Sequence, residues 1–169
     1  MRLRAATEAD TEALAALLAE PEVRRWWQDY SPARVHEEMT GPGQTTEEGR
    51  VIEVDGQVAG WIQWEEEPWP EYPSVALDLF VGPAHFGTGV AQAALREVIE
   101  RFAAKGHHRF QIDPTATNER AIRAYAKVGF KPVGILRASE RRPDGWADAL
   151  LMDLLIEELE PPPGAPSPR

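Results

Sequence analysis

The chain has no cysteine among its 169 residues. Disulfides, thiolate metal sites and a cysteine nucleophile are therefore excluded, and the absence fits a reducing interior. It also lacks any apolar run long enough to span a bilayer. Met1-Arg2-Leu3-Arg4 leads straight into an acidic helical pattern, with no stretch of signal-peptide type, so a cytoplasmic protein is expected. Positive charge is scarce: 18 Lys and Arg stand against 28 Asp and Glu, a net charge of −10. Such a surface repels nucleic acid over most of its extent. It favours a cationic partner, because clefts lined with carboxylates concentrate positive ligands, although solubility alone also makes many proteins acidic.

The 43% hydrophobic and 27% charged fractions are ordinary for a globular protein, and the length suits one domain with its own core. Leu3–Ala5 reads as a first strand. Thr7 and Asp10 give a helix start signal, and Leu14, Leu17 and Leu18 supply one apolar face before Pro21 ends the helix. Ser31-Pro32 opens a second helix running to about Thr40, and Gly41-Pro42-Gly43 is a loop. Arg50–Val54 and Val58–Trp64 form a hairpin about Asp55-Gly56. A polar, proline-spaced loop, Glu65–Pro73, leads to a strand at Ser74–Val81 and a glycine-bearing turn at Gly82–Gly89. A helix follows from Val90 to the break at Gly106, then a strand at His108–Ile112 and a helix at Asn118–Val128 closed by Gly129. Phe130–Leu136 and Ala147–Ile156 are the last strands, the latter apolar enough to be central. The proline-rich residues 161–169 are expected to be a disordered tail after a domain at 1–160. This order describes one mixed α/β layer domain.

The strand–turn–helix around Gly87-Thr88-Gly89-Val90-Ala91 is the most informative stretch. Gly87 and Gly89 let the backbone bend close to a ligand. The N–H groups opening the helix, with its dipole, suit an anion such as a pyrophosphate, though glycines also make ordinary strand-to-helix turns. No Lys-Ser or Lys-Thr follows, which excludes a Walker A loop. The missing third glycine argues against dinucleotide binding. Phosphate without either signature suggests coenzyme A.

This stretch resembles motif A of the GNAT superfamily, Q/R-x-x-G-x-G/A, with Phe86, Gly89 and Ala91 at the first, fourth and sixth positions. Phe86 departs from the pattern and removes a side-chain donor, leaving the pyrophosphate to backbone N–H groups of Gly87–Ala91. Downstream, Asn118-Glu-Arg-Ala121-Ile-Arg-Ala-Tyr125-Ala-Lys-Val-Gly129-Phe130 resembles motif B, N-x-x-A-x-x-x-Y-x-x-x-G-F, a highly specific match. The resemblance spans about residues 2 to 158. It implies a single GNAT-type α+β domain: a mixed, mostly antiparallel sheet of six to seven strands with splayed central strands, flanked by about four helices. Within the superfamily the chain most resembles aminoglycoside 6′-N-acetyltransferases and relatives that acylate hydroxylysine, through Trp26-Trp27, the Trp/Glu-rich loop, Leu77-Asp78 and Ile112-Asp113-Pro114.

The resemblance implies an acetyl-coenzyme A-dependent N-acetyltransferase without a metal, acting as a monomer or homodimer on a cationic small-molecule amine and touching neither nucleic acid nor membrane. Donor contacts then fall to Leu79, Phe80 and Val81 for the pantetheine arm, Phe86, Gly87, Thr88, Gly89, Val90 and Ala91 at the turn, and Asn118, Ala121 and Tyr125 on the later helix. Amide formation from a thioester needs a neutral amine, oxyanion stabilisation and a proton for the thiolate. Tyr125 is the candidate acid, its phenol being reasonably matched to a thiolate. Without the motif it reads as a core tyrosine. Asn118, the only asparagine, is either a helix cap or a coenzyme A partner, and the roles are compatible.

Asp78 is an acid in an apolar strand, where unpaired burial would cost roughly several kcal/mol, and is taken as base and anchor. Asp113 is either the turn residue of Asp-Pro or a second carboxylate near the end of a neighbouring strand. Trp26 and Trp27, with Trp64, Trp69 and Tyr72, are candidate aromatic walls, and Glu65, Glu66 and Glu67 a candidate acidic rim. His36, His85, His107 and His108 lack ligand spacing and read as surface residues. Other amine acceptors, or a non-catalytic acyl-coenzyme A or drug-binding module, are the competing readings.

Overall fold

A computed structural model describes residues 1–42, 48–67 and 69–162. The strands are β1 (Arg2–Arg4), β2 (Gly49–Val54), β3 (Gln57–Glu67), β4 (Ser74–Val81), β5 (Arg109–Ile112), β6 (Lys131–Arg142) and β7 (Gly145–Leu155). The helices are α1 (Thr11–Ala19), α2 (Pro21–Arg24), α3 (Pro32–Val35), α4 (Val90–Ala103) and α5 (Glu119–Ala126). The strands form a seven-stranded mixed sheet in the order β1-β2-β3-β4-β5-β7-β6, with β4 and β5 parallel. The fold is α+β. The chain gathers into two compact units, Met1–Glu65 with Asp78–Ala94, and Glu66–Leu77 with the residues from Leu95 onward. The divisions fall inside β3, inside β4 and inside α4.

In the first unit the Thr7/Asp10 signal closes a short 3-10 turn that feeds α1. The Thr7 backbone N–H and hydroxyl both donate to Asp10 Oδ2, at 2.8 and 2.9 Å. Arg4 clamps the same carboxylate with two hydrogen bonds of 2.8 and 2.6 Å, tying β1 to the helix start. Pro21 both ends α1 and occupies the first position of a further turn, α2, because its missing N–H costs nothing there. Ser31 Oγ accepts the Arg34 N–H and starts α3, which widens into a π turn at His36–Thr40. Leu14, Leu18, Val23, Val35, Met39, Val51, Trp61 and Phe80 form the core of this unit. The β2–β3 hairpin turns through Asp55 and Gly56, both at positive φ. Gly60 permits β4 to approach: a Cβ there would lie 2.1 Å from the Phe80 carbonyl oxygen.

The second unit is built on β5, β7 and β6. Val75–Ala76 of β4 pair with Phe110–Gln111, and the register between those two strands stops there. Arg96 of α4, only 7% exposed, donates to the carbonyls of Lys127 and Glu160 at 2.9 and 2.8 Å. It satisfies acceptors at the end of α5 and so fixes the helix that carries Tyr125.

Several expectations are corrected. Strand β3 continues to Glu67, so Glu65, Glu66 and Glu67 are strand residues and not loop. Strand β6 runs to Arg142, past a register shift between Leu136 and Glu140 at which Asp148 Oδ1 accepts the Ala138 N–H. That shift breaks the alternation from which a strand is read. His107 is buried, not on the surface: its Nε2 lies 2.7 Å from Glu66 Oε1. Gly43, Pro68 and residues 163–169 lie outside the described residues.

The hydrogen bond from Arg4, with help from Thr7, lowers the Asp10 carboxyl from 3.8 to about 2. A lowered folded-state value contributes stability above the unfolded value and loses it as pH falls through the folded one. Wild-type protein should therefore lose about 2 kcal/mol between pH 5 and pH 2 through this group. In Asp10→Asn that part of the acid dependence should vanish in urea melts, and an unchanged slope would refute the assignment.

Candidate active site

The donor-side candidates of the first unit sit where β4 gives way to α4. Pro83–His85 form a single 3-10 turn, and Thr88 Oγ1 donates to the His85 carbonyl at 2.9 Å. Gly87 and Gly89 then take φ of 74° and 90°, a region that L side chains rarely adopt. Ala93 N–H donates to the Gly89 carbonyl at 2.9 Å, the bond that starts α4. The N–H groups of Val90, Ala91 and Gln92 precede it and have no helical acceptor. Together with the helix dipole they give this end a partial positive charge. Phe86 packs against the core of this unit. Leu79 and Phe80 are buried and Val81 is half-buried, so these positions offer main chain more than side chain.

The same unit holds an aromatic cluster. Trp27 meets Phe80 edge-on at 5.1 Å and Tyr30 at 5.6 Å between ring centroids. Asp29 at φ 57° turns the chain between Trp27 and Tyr30. Arg34 lies 4.0 Å over the Tyr30 ring and hydrogen-bonds Glu38 at 2.6 Å. Burial, then the charge of Glu38, hold the Tyr30 phenol well above its ordinary range, and Asp78 pushes the same way. Two carboxylates thus bear on one phenol. Asp78 itself is exposed, so the cost of unpaired burial expected for it does not arise. Trp26 is half-buried beneath the Arg25 guanidinium, 4.7 Å from its ring, and Trp64 is buried with Arg50 over it. Glu65 is exposed.

In the second unit, Asn118 caps α5: its Oδ1 accepts the Ala121 N–H at 3.2 Å. The cap uses the side-chain oxygen, and the amide nitrogen takes no part in it. Tyr125 is 7% exposed, its ring edge-on to Phe130 at 6.3 Å. Asp113 follows β5 directly. Burial, and then the charge of Glu140, push its carboxyl up, against a backbone hydrogen bond that lowers it. Asp113 is nonetheless exposed to solvent. Glu66 is engaged by His107 and Lys105, and Glu67 accepts the Trp69 N–H at 3.0 Å. Two of the three rim glutamates are therefore committed to local structure. Trp69 and Tyr72 are exposed.

Sequence reading passed over Tyr30, Glu38 and Glu140. A signal for the first two existed in the Trp26–Tyr30 aromatic run and the Arg34/Glu38 spacing of four residues. Glu140 had none, since its neighbours depend on the β6 register shift.

Residues 1–131 match the family described as Acetyltransferase (GNAT) domain. The chain is 27% identical over 165 residues to an aminoglycoside N(6′)-acetyltransferase type 1 of Klebsiella pneumoniae, covering 86% of this chain and 79% of that protein. Among solved structures, a ribosomal-protein-alanine N-acetyltransferase from Brucella melitensis is similar at a TM-score of 0.73 and 25% identity, over 92% of this chain and 100% of that one. Aminoglycoside acetyltransferase AAC(6′)-Ib in complex with coenzyme A is similar at the same TM-score and identity, over 92% and 95% of the two chains.

The Tyr30 arrangement is directly measurable by alkaline absorbance titration, subtracting Tyr30→Phe from wild type. The phenol should ionise above the ordinary value of about 10, and Glu38→Gln should bring it down. A Tyr30 transition at or below 10 in wild type would contradict the geometry.

Proposed function

Because the chain belongs to the GNAT acetyltransferase family, whose acyl donor is acetyl-coenzyme A, we propose that it acetylates a primary amine of a cationic small molecule, with the 6′-amine of an aminoglycoside the leading acceptor. The observation that carries the acceptor class is the cluster of Trp27, Tyr30 and Phe80 with Asp78 and Glu38 bearing on the Tyr30 phenol. Half-buried Trp27 and Tyr30 rings with negative charge beside them suit a hydrophilic polycation. The net charge of −10 works in the same direction by drawing cations in.

In this reading the N–H groups of Gly87–Ala91 take the donor's pyrophosphate, and the main chain of Leu79–Val81 pairs with its pantetheine arm. Asn118 and Ala121 add donor contacts from the start of α5. Asp78 anchors an ammonium and accepts the proton that makes the attacking amine neutral, directly or through water. The amine nitrogen adds to the thioester carbonyl, and a main-chain N–H near Leu79–Val81 stabilises the oxyanion. Collapse breaks the C–S bond, and the Tyr125 phenol supplies the thiolate with its proton. Trp26, Trp27 and Asp113 contact the acceptor, with Glu65, Glu66 and Glu67 at the rim. Because Glu66 and Glu67 already hold local partners, their contribution is field more than contact. A polyamine, a hydroxylysine-type amine or a protein N-terminus would meet the same chemistry and is separated by assay.

Purified protein with acetyl-coenzyme A should release free thiol on addition of an aminoglycoside. No release across an aminoglycoside panel ends that assignment, and release with another amine class redirects it. Tyr125→Phe should lower kcat by about 100-fold with the dissociation constant for acetyl-coenzyme A unchanged. Equal turnover in the variant would remove the acid role.

A further inference from the structure

Asp113, Pro114, Thr115 and Ala116 do more than link β5 to α5. Leu150 N–H donates to the Pro114 carbonyl and Ala116 N–H to the Asp148 carbonyl, each at 2.8 Å, and Thr115 bridges Ala149. The segment is thus annealed to β7. On β6, the register shift after Leu136 delivers Glu140 opposite Ala147. There the Thr115 hydroxyl donates to Glu140 Oε2 at 2.7 Å, while Arg142 Nη2 sits 2.5 Å from Glu140 Oε1 and donates to Thr115 Oγ1 at 2.6 Å. The Arg142 side chain is only 10% exposed. A nearly buried arginine, a threonine and a glutamate therefore close a ring of three contacts two residues from Asp113.

For hairpin stability alone such a ring contributes little, since burying a charge pair often costs as much as it returns. Its effect on Asp113 is more specific. Two strands bring charged groups to the Asp113–Ala116 segment. Strand β6 supplies Glu140, whose charge acts on Asp113, and Arg142, already engaged with Glu140. Strand β7 supplies Asp148, whose Oδ1 is taken by the Ala138 N–H.

We propose that Glu140 is a positioning residue for Asp113: gripped by Thr115 and Arg142, it holds the Asp113–Ala116 segment on β7 and presents the Asp113 carboxylate with a fixed second negative charge. Asp113 then takes up a cation, whether a substrate ammonium or a proton, more readily than an isolated carboxylate does. Glu140 thereby sets the acidity below which a proton displaces the acceptor's ammonium from Asp113. This rests on the acceptor reading, in which Asp113 meets a cationic amine. The direction found for Asp113, upward with Glu140 among its causes, agrees with it.

Two readouts test the proposal, the first without any substrate. The Asp113 side-chain carboxyl is followed by carbon-detected NMR across a pH titration of the free protein, and assigned with Asp113→Asn. In wild type its midpoint should lie above the ordinary carboxyl value. In Glu140→Gln, which keeps a Thr115 acceptor and loses the charge, the midpoint should fall by about half a pH unit or more. Glu140→Asp should restore most of the shift. The second readout is the acidic limb of kcat/KM with kanamycin as acceptor, which should move down by the same amount in Glu140→Gln. A loss of activity equal at all pH values, with the limb in place, would mark a purely structural role and overturn the proposal. So would a midpoint that moves without the limb. If Glu140→Gln does not fold, a midpoint at the ordinary carboxyl value in wild type overturns it. If wild type releases no thiol with any amine, the acceptor reading fails, and the carboxyl titration still decides whether Glu140 acts on Asp113.

Discussion

The N–H groups of Val90, Ala91 and Gln92 stand ahead of the first α-helical bond, from Ala93 to Gly89, and cannot be satisfied within α4. Gly87 and Gly89, at φ of 74° and 90°, turn the chain sharply enough for β4 to run into the helix in this way. At position 86, where the family pattern has a polar donor, this chain has a phenylalanine packed into the core. The chemistry of the turn is therefore carried by main chain, and its geometry depends on what holds β4 and α4. Gly60 sets the first, by letting the Phe80 carbonyl come within a distance that a Cβ would forbid. Arg96 sets the second in its own unit, by tying α4 to the carbonyls of Lys127 and Glu160.

Among the described residues, the carboxyls displaced from their ordinary range go two ways, and Glu97, like Asp113, is displaced upward, first by burial and also by a like charge. Asp10, Glu53, Glu66 and Glu158 are held below their ordinary range, in each case chiefly by a hydrogen bond from a cationic or imidazole partner. They stitch elements together. Asp113 is pushed the other way, by burial and a like charge. A carboxyl with raised proton affinity and open access to water is poorly suited to structure and well suited to binding a cation. The Tyr30 phenol, pressed by burial and by two carboxylates, belongs with it in kind.

Local rules were legible where the residues that obey them adjoin in sequence. The Thr7/Asp10 box, the Ser31-Pro32 start, the Asp55-Gly56 turn and the Asn118 cap all form as read. What escaped reading needed partners far along the chain. Strand β3 extends through Glu66, whose partners are Lys105 and His107, about forty residues on. The second half of β6 lies beyond a register shift that interrupts its alternation. Asp78 looked buried from its apolar neighbours, yet alternation along β4 turns it outward while Leu77 and Leu79 point in. Tyr30 and Glu38 are linked only once Arg34 has folded between them.

In the proposed function, main-chain N–H groups at Gly87–Ala91 hold the pyrophosphate of the acyl donor. Calorimetric titration with coenzyme A and, separately, with pantetheine tests it most directly, since the two share the thiol arm and differ in the nucleotide and its phosphates. Coenzyme A should bind saturably and one-to-one, and pantetheine at least a hundredfold more weakly, about 3 kcal/mol. Equal affinity for the two, or no heat with either in folded protein, would contradict it.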